Sequence, residues 1–275
     1  MSNSSNISNE LRDKVAVVTG AAQGLGLGVA TELARRGAII ADLQEEKARQ
    51  AAERLSGEGH SAKAASINVT DSAAVNRCLD DVVGAHGRLD IMVNSAGIGQ
   101  KVTPVVNLDD EEWRRVIDCT LTGTFYCCRA AARHMEKQEA GSIVNFASIN
   151  GQSPAALVAS YNVAKAGVIM LTQTLALELA AYGVRVNAVS PGPVYTEFNR
   201  TVMAHRCESL GLTEEQMIEK VRCAIPLGRW GEPEDIANVV AFLCGPGSGW
   251  MTGEVIRVSG GMVGVSATPP KRAEN

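Results

Sequence analysis

The chain has 275 residues, of which 45% are hydrophobic and 20% charged, and carries a net charge of −4 at pH 7. That balance suits one large domain with a sizeable core, and with no long basic run it excludes the electrostatic footprint of a nucleic-acid binder. The seven cysteines contain no CxxC, and the four histidines stand apart from one another and from any acidic cluster, which argues against a disulfide framework or a metal site.

The opening MSNSSNISNE (1–10) is polar and reads as a flexible tail. VAVVTG (15–20) is a nearly continuous apolar run, as expected of a strand covered on both faces. TGAAQGLG follows at once, with Gly20, Gly24 and Gly26 leading into a helical pattern over 24–36. Glycine lets the backbone turn tightly and approach a ligand, and a helix starting there offers free N–H groups and its dipole to a pyrophosphate. A lone glycine pattern is weak, but a strand before it and a helix after it give the context of a nucleotide loop. The second strand, AIIAD (38–42), ends in Asp42, 22 residues after Gly20. An acid there accepts hydrogen bonds from an adenosine ribose and repels a 2′-phosphate, which favours NAD over NADP. Gln23, before Gly24, offers no positive charge to hold that phosphate. A solvated loop Asp is the bland alternative.

Strand-like runs then recur at 64–69, 89–97, 141–148, 183–192 and 254–261, and helical patterns at 44–56, 72–86, 109–137, 160–181 and 233–244. Thr70 or Asp71 is placed to cap the helix at 72, and Pro233 suits a first helical turn. The alternation predicts an α/β fold: a single-domain Rossmann-type, doubly wound parallel sheet of about seven strands with helices on both faces. The domain is expected over 11–264, with a substrate lid at 194–228 and a flexible C-terminal tail at 265–275. No apolar run of membrane-spanning length and no apolar signal segment stands out, so no membrane partner and a cytoplasmic location are expected.

ASYNVAK (159–165) sets Tyr161 and Lys165 four apart, on one face of a helix. A cation beside a phenol stabilises the phenolate and turns a poor acid into a working base. By itself the pair is more often a surface Tyr beside a solvated Lys, and the rest of the chain must decide.

Taken together these motifs resemble the short-chain dehydrogenase/reductase family over roughly residues 12–262. Thr19-Gly20-x-x-x-Gly24-x-Gly26 matches its cofactor loop, with Leu25 inside it. Asn94-Ser95-Ala96-Gly97 is similar to its NNAG segment. Tyr161-x-x-x-Lys165, with Ser148 standing 13 residues earlier, matches its catalytic set. Pro191-Gly192-x-x-x-Thr196, enclosing Val194, matches the segment that holds the nicotinamide amide. The resemblance implies a nicotinamide-dependent oxidoreductase in which Tyr161 is the general base, Ser148 positions the substrate oxygen, and Lys165 holds the ribose and lowers the Tyr161 pKa. It also implies adenine contacts at Asn68 and Val69, and a homo-oligomer, tetramer or dimer.

Four positions depart from the family pattern. Thr120 stands where a proton-relay Asn is usual, Asn68 where Asp is common, Ser259 before the last Gly-Gly where Asp is common, and the run from Gly37 to Asp42 is two residues short. The expected activity is NAD-dependent hydride transfer between a secondary alcohol (a polyol, cyclic diol or small aromatic alcohol) and its ketone. An NADPH-dependent carbonyl or 3-oxoacyl reductase is the first alternative. A non-catalytic nucleotide-binding regulator is the second. Asn150, Gln152, Pro193, Tyr195, Phe198 and Met203 are the candidate substrate contacts, beside Ser148 and Tyr161.

Overall fold

The run AVVT forms β1 (Ala16–Thr19), and its side chains point alternately to the two faces of a sheet. Ala16 and Val18 pack with Val29 and Leu33, whereas Val17 packs with Leu79 and Met135. Both faces are therefore core, which is why the sequence reads as an unbroken apolar run rather than an alternating one. Each fully buried Leu or Ile of these two layers contributes roughly 1.5–3 kcal/mol. The structure, a computed structural model, describes residues 11–34, 38–42, 45–58, 62–197, 199–200, 203–204, 207 and 211–264. The expected tails at 1–10 and 265–275, and Phe198, lie outside the described residues.

In chain order the elements are β1, α1 (Gly24–Ala34), β2 (Ala38–Asp42), α2 (Glu45–Gly57), β3 (Lys63–Ser66), α3 (Ser72–His86), β4 (Ile91–Asn94), α4 (Asp110–Ile117), α5 (Gly123–Gln138), β5 (Gly141–Phe146), α6 (Ile149–Gln152), α7 (Ala159–Leu179), β6 (Val184–Pro191), α8 (Glu214–Ala224), α9 (Pro233–Cys244) and β7 (Val255–Val258). The strands form one seven-stranded sheet in the order β3-β2-β1-β4-β5-β6-β7, parallel at every described pairing. The order reverses between β1 and β4, and in open parallel sheets that crevice, outside the carboxyl ends of the strands, is where ligands bind.

The structure settles several local expectations. Asp71, not Thr70, caps α3, its carboxylate accepting from Ala73 N and Ala74 N. Pro233 occupies the first turn of α9. In the second strand Ala41 stands beside Thr19 and Asp42 beside Ser66. The helix expected over 109–137 is interrupted by a π turn at Asp118–Thr122, a widening that recurs at functional sites.

The expectation that no apolar segment reaches membrane-spanning length is corrected. The helical stretch Ala159–Tyr182 is long and apolar enough by length and composition. It is the crossover between two central strands, and it turns Val168, Thr172, Ala176 and Leu179 into the core. A helix that covers a buried sheet face is apolar for that reason.

Candidate active site

The turn after β1 is built around glycine. Gly20 and Gly24 have φ of +67° and +57°, in the left-handed region that favours glycine. A Cβ on Gly20 would stand 2.9 Å from Ala96 Cα, and one on Gly26 would run into the Gly20 carbonyl. The Ala96 N–H donates to Thr19 Oγ1 at 3.2 Å, tying this turn to the loop after β4. The first turn of α1 contains no acidic residue, so its N–H groups and dipole face an anion without competition. Leu25 packs its side chain against the core, which leaves its backbone for a ligand. This cradle, closed to a Cβ at Gly20 and Gly26, fits the pyrophosphate of a nicotinamide dinucleotide. Gly26→Ala should therefore weaken cofactor binding by at least about tenfold, by the free-energy scale of one lost charge-assisted hydrogen bond. Fluorescence titration with the reduced cofactor checks this.

The tyrosine comes from the first turn of α7. One turn later on the same face, Lys165 is 5% exposed. Its Nζ donates to the Phe146 carbonyl at 2.6 Å and lies 5.8 Å from the Tyr161 ring centre. A Cβ on Gly97 would come within 3.6 Å of that Nζ and 3.5 Å of Thr120 Oγ1, so both groups crowd the loop after β4. Ser148 follows β5 and caps α6, accepting from Asn150 N at 3.1 Å. It also shares a hydrogen bond with the Tyr161 phenol. Ser148, Tyr161 and Lys165 thus form one cluster from two successive elements.

The electrostatics differ from expectation. Burial pushes the Tyr161 phenol above its ordinary value, and the Ser148 hydrogen bond pulls it only partly back. Desolvation disfavours the phenolate, and the Lys165 ammonium spends its short bond on Phe146 rather than on the phenol. Burial also pushes Lys165 down to about 8, opposed by Cys119.

The other expected site residues divide into two groups. Gly97, Thr120, Pro191, Gly192 and Thr196 gather at the carboxyl ends of β4, β5 and β6 with the catalytic cluster. Thr196 lies over the glycine turn, 3.7 Å from where a Gly24 Cβ would stand. Thr120 is fully buried, and its hydroxyl is bonded to the Ile98 backbone, accepting from N at 3.3 Å and donating to O at 3.4 Å. Asn150 and Gln152 lie on α6, and Pro193 and Tyr195 in the stretch after β6. Tyr195 stacks edge-on against Trp230. Other residues are turned elsewhere. Asn94 is buried, its amide donating to Asn145 at 2.8 Å and to Cys128. Asn68 accepts from Thr70 N and Oγ1 in a local turn. Val69, Val194 and Met203 have buried side chains. Gln23 lies in the glycine turn. Asp42 ends β2, and its side chain is outside the described residues.

Sequence reasoning missed Gln100, which is 4% exposed and accepts from both Ser160 N and Ser160 Oγ at 2.7 Å. It also missed the Glu112–Arg115 pair, which holds the same loop through Lys101 N and the Gly99 carbonyl. No periodicity or motif marks a loop glutamine, so nothing in the sequence could have singled it out.

A family model described as enoyl-(acyl carrier protein) reductase matches residues 20–263. The chain is 38% identical over 255 residues to cis-4-hydroxycyclohexanecarboxylate dehydrogenase of Sinomonas cyclohexanicum, covering 92% of this chain and 98% of that one. It is 36% identical over 252 residues to the 3-oxoacyl-[acyl-carrier-protein] reductase FabG of Staphylococcus aureus, covering 90% and 98%. Among solved structures, a variant of actinorhodin polyketide ketoreductase with NADPH superposes with a TM-score of 0.88 at 32% identity, covering 92% and 98%.

Proposed function

The chain belongs to the short-chain dehydrogenase/reductase family, and from that premise we propose that it is an NAD-dependent dehydrogenase of a cyclic or polyhydroxylated secondary alcohol. Members of this family are oxidoreductases that use a nicotinamide cofactor on CH–OH and carbonyl groups. The observation that carries the reading is the Tyr161 phenol, hydrogen-bonded to Ser148 and backed by the buried Lys165 ammonium, beside a turn only glycine can make.

The nicotinamide, when bound, supplies the hydride acceptor. The Tyr161 phenolate takes the hydroxyl proton of the alcohol, and in the reverse direction the phenol returns it. Ser148 Oγ holds the substrate oxygen within reach of that phenol. Lys165 stabilises the phenolate and offers its ammonium to the ribose. Positive charge beside the phenol favours the phenolate and opposes the rise that burial imposes on Tyr161. The glycine turn and the start of α1 hold the pyrophosphate. The stretch 194–228 serves as the substrate lid, with Tyr195 on Trp230 as its apolar wall.

The preference for NAD rests on Asp42 at the carboxyl end of β2, beside the glycine turn. Asp42→Ala should narrow the ratio of NAD to NADP kcat/KM by about tenfold or more, the size of one hydrogen bond to a charged group. Initial rates of cofactor reduction over a panel of secondary alcohols, with both cofactors, test the whole reading. A higher kcat/KM with NADP in the natural protein overturns the cofactor assignment. The second reading, an NADPH-dependent 3-oxoacyl reductase, is favoured by the similarity to FabG and to the ketoreductase solved with NADPH. The apolar side chains exposed along α7 (Val163, Met170, Leu177), with Phe125 on α5 and Trp250 beyond α9, support a homo-oligomer. A cytoplasmic location completes the proposal.

A further inference from the structure

The helix that carries Tyr161 begins poorly. Its N-cap position is Val158, which makes no side-chain cap bond, and helix starts leave backbone N–H groups without intrahelical partners. The residue before it in the turn, Leu157, has φ of +71°, a conformation that persists in a non-glycine residue only when its surroundings hold it. The missing cap arrives from 60 residues away. Gln100 Oε1 accepts from the Ser160 N–H and the Ser160 hydroxyl, each at 2.7 Å, and both groups are buried. Gln100 Nε2 donates to the Leu157 carbonyl at 3.3 Å, which also accepts from Thr103 N at 2.9 Å. One side chain thus bonds the strained turn and the residue directly before Tyr161.

The loop that bears Gln100 is itself fixed. Lys101 N donates to Glu112 Oε1 at 2.8 Å, and Arg115 donates to the Gly99 carbonyl at 3.0 Å. Arg115 and Glu112 hold each other through two further bonds. The same loop passes Lys165 at Gly97. We propose that Gln100 is a positioning residue for Tyr161: by capping the first turn of α7 from the loop after β4, it sets the direction in which the phenol points. Its kinetic consequence rests on Tyr161 being the general base of the function proposed above. Glutamine suits this position because it combines an acceptor for two donors with a donor for a carbonyl.

Two variants separate positioning from bulk. Gln100→Met keeps the length and fills the buried space, but offers no strong acceptor. Gln100→Glu keeps the acceptor for both Ser160 donors, which the helix start favours, but turns an acceptor instead of a donor toward the Leu157 carbonyl. Two measurements are made: steady-state alcohol oxidation with a cofactor-binding titration, and the Tyr161 resonance in protein labelled with 13C at tyrosine Cζ, assigned by comparison with Tyr161→Phe. Gln100→Met should lower kcat by about tenfold to a hundredfold, the cost of a reacting group displaced by about an ångström, with cofactor affinity unchanged and the Tyr161 resonance moved. Gln100→Glu, which keeps the bonds to Ser160 and loses the one to Leu157, should fall between the natural protein and Gln100→Met in both readouts. Ser160→Ala, which removes one of the two donors, should give a smaller change in the same direction, and decides the matter if Gln100→Met does not fold. Unchanged kcat and an unmoved resonance in Gln100→Met and Ser160→Ala overturn the proposal. Should the natural protein oxidise no alcohol, the functional reading fails by itself, and the resonance alone decides whether Gln100 positions Tyr161.

Discussion

Tyr161→Phe should abolish most turnover while leaving cofactor binding intact. The substitution keeps the ring and its packing on α7 and removes the oxygen that bonds Ser148. General acid–base catalysis contributes roughly 10²–10⁴-fold, so kcat should fall by at least that range. Lys165 and the glycine turn are untouched, so the affinity for cofactor should stay within about twofold, a free-energy change of only a few tenths of a kcal/mol. The pH dependence has a definite sign. Oxidation needs the phenolate, so its rate is lost as pH falls through the Tyr161 pKa; reduction needs the phenol, and its rate is lost as pH rises. In the protein alone burial raises that pKa, so the pKa read from tyrosine ionisation without cofactor should exceed the one read from alcohol oxidation with it. A Tyr161→Phe protein that keeps more than about a tenth of the natural kcat, with binding intact, sinks the assignment of Tyr161 as base.

Lys165→Met should remove activity and stabilise the fold near neutral pH. The ammonium is buried, and its pKa falls from 10.5 to about 8. Below pH about 8 the folded and unfolded chains both carry the proton, and the folded state bears the whole cost of burying the charge. Between about 8 and 10.5 the unfolded chain holds a proton that the folded one has released, so stability rises with pH. The full cost is about 3 kcal/mol, at 1.36 kcal/mol per unit. Methionine escapes that cost but leaves the Phe146 carbonyl without its bond, which takes back roughly 1–3 kcal/mol. A net gain of about 1 kcal/mol should raise the melting midpoint near pH 7 by about 2–4 °C. The advantage should vanish near pH 9 and reverse above it, because within about one pH unit above the folded pKa of about 8 the natural protein regains about 1 kcal/mol. Loss of the cation beside the phenol should lower kcat by about 10²–10³-fold, the usual size of one electrostatic contribution to a transition state. A variant less stable than the natural protein at pH 7, with no change in the difference by pH 10, would refute the burial argument.

The sequence by itself determined the doubly wound parallel sheet, because strands covered on both faces must be apolar at every position, as in AVVT and IMVN, and such runs are visible without coordinates. It also marked the glycine turn and the Ser148, Tyr161 and Lys165 set, because backbone approach and helical spacing are local properties. Tertiary structure alone decided three things. The Tyr161 pKa goes up rather than down without cofactor, since desolvation depends on every element packed around the phenol and on the Phe146 carbonyl that takes the Lys165 bond. Thr120 falls in a π turn with its hydroxyl on Ile98, a change of helical pitch that the pattern over 109–137 does not show. Gln100 reaches Ser160 across 60 residues of chain. Hydrogen bonds between distant segments follow from how the layers stack, and a hydrogen-bonding side chain in a loop has no period from which its partner can be read.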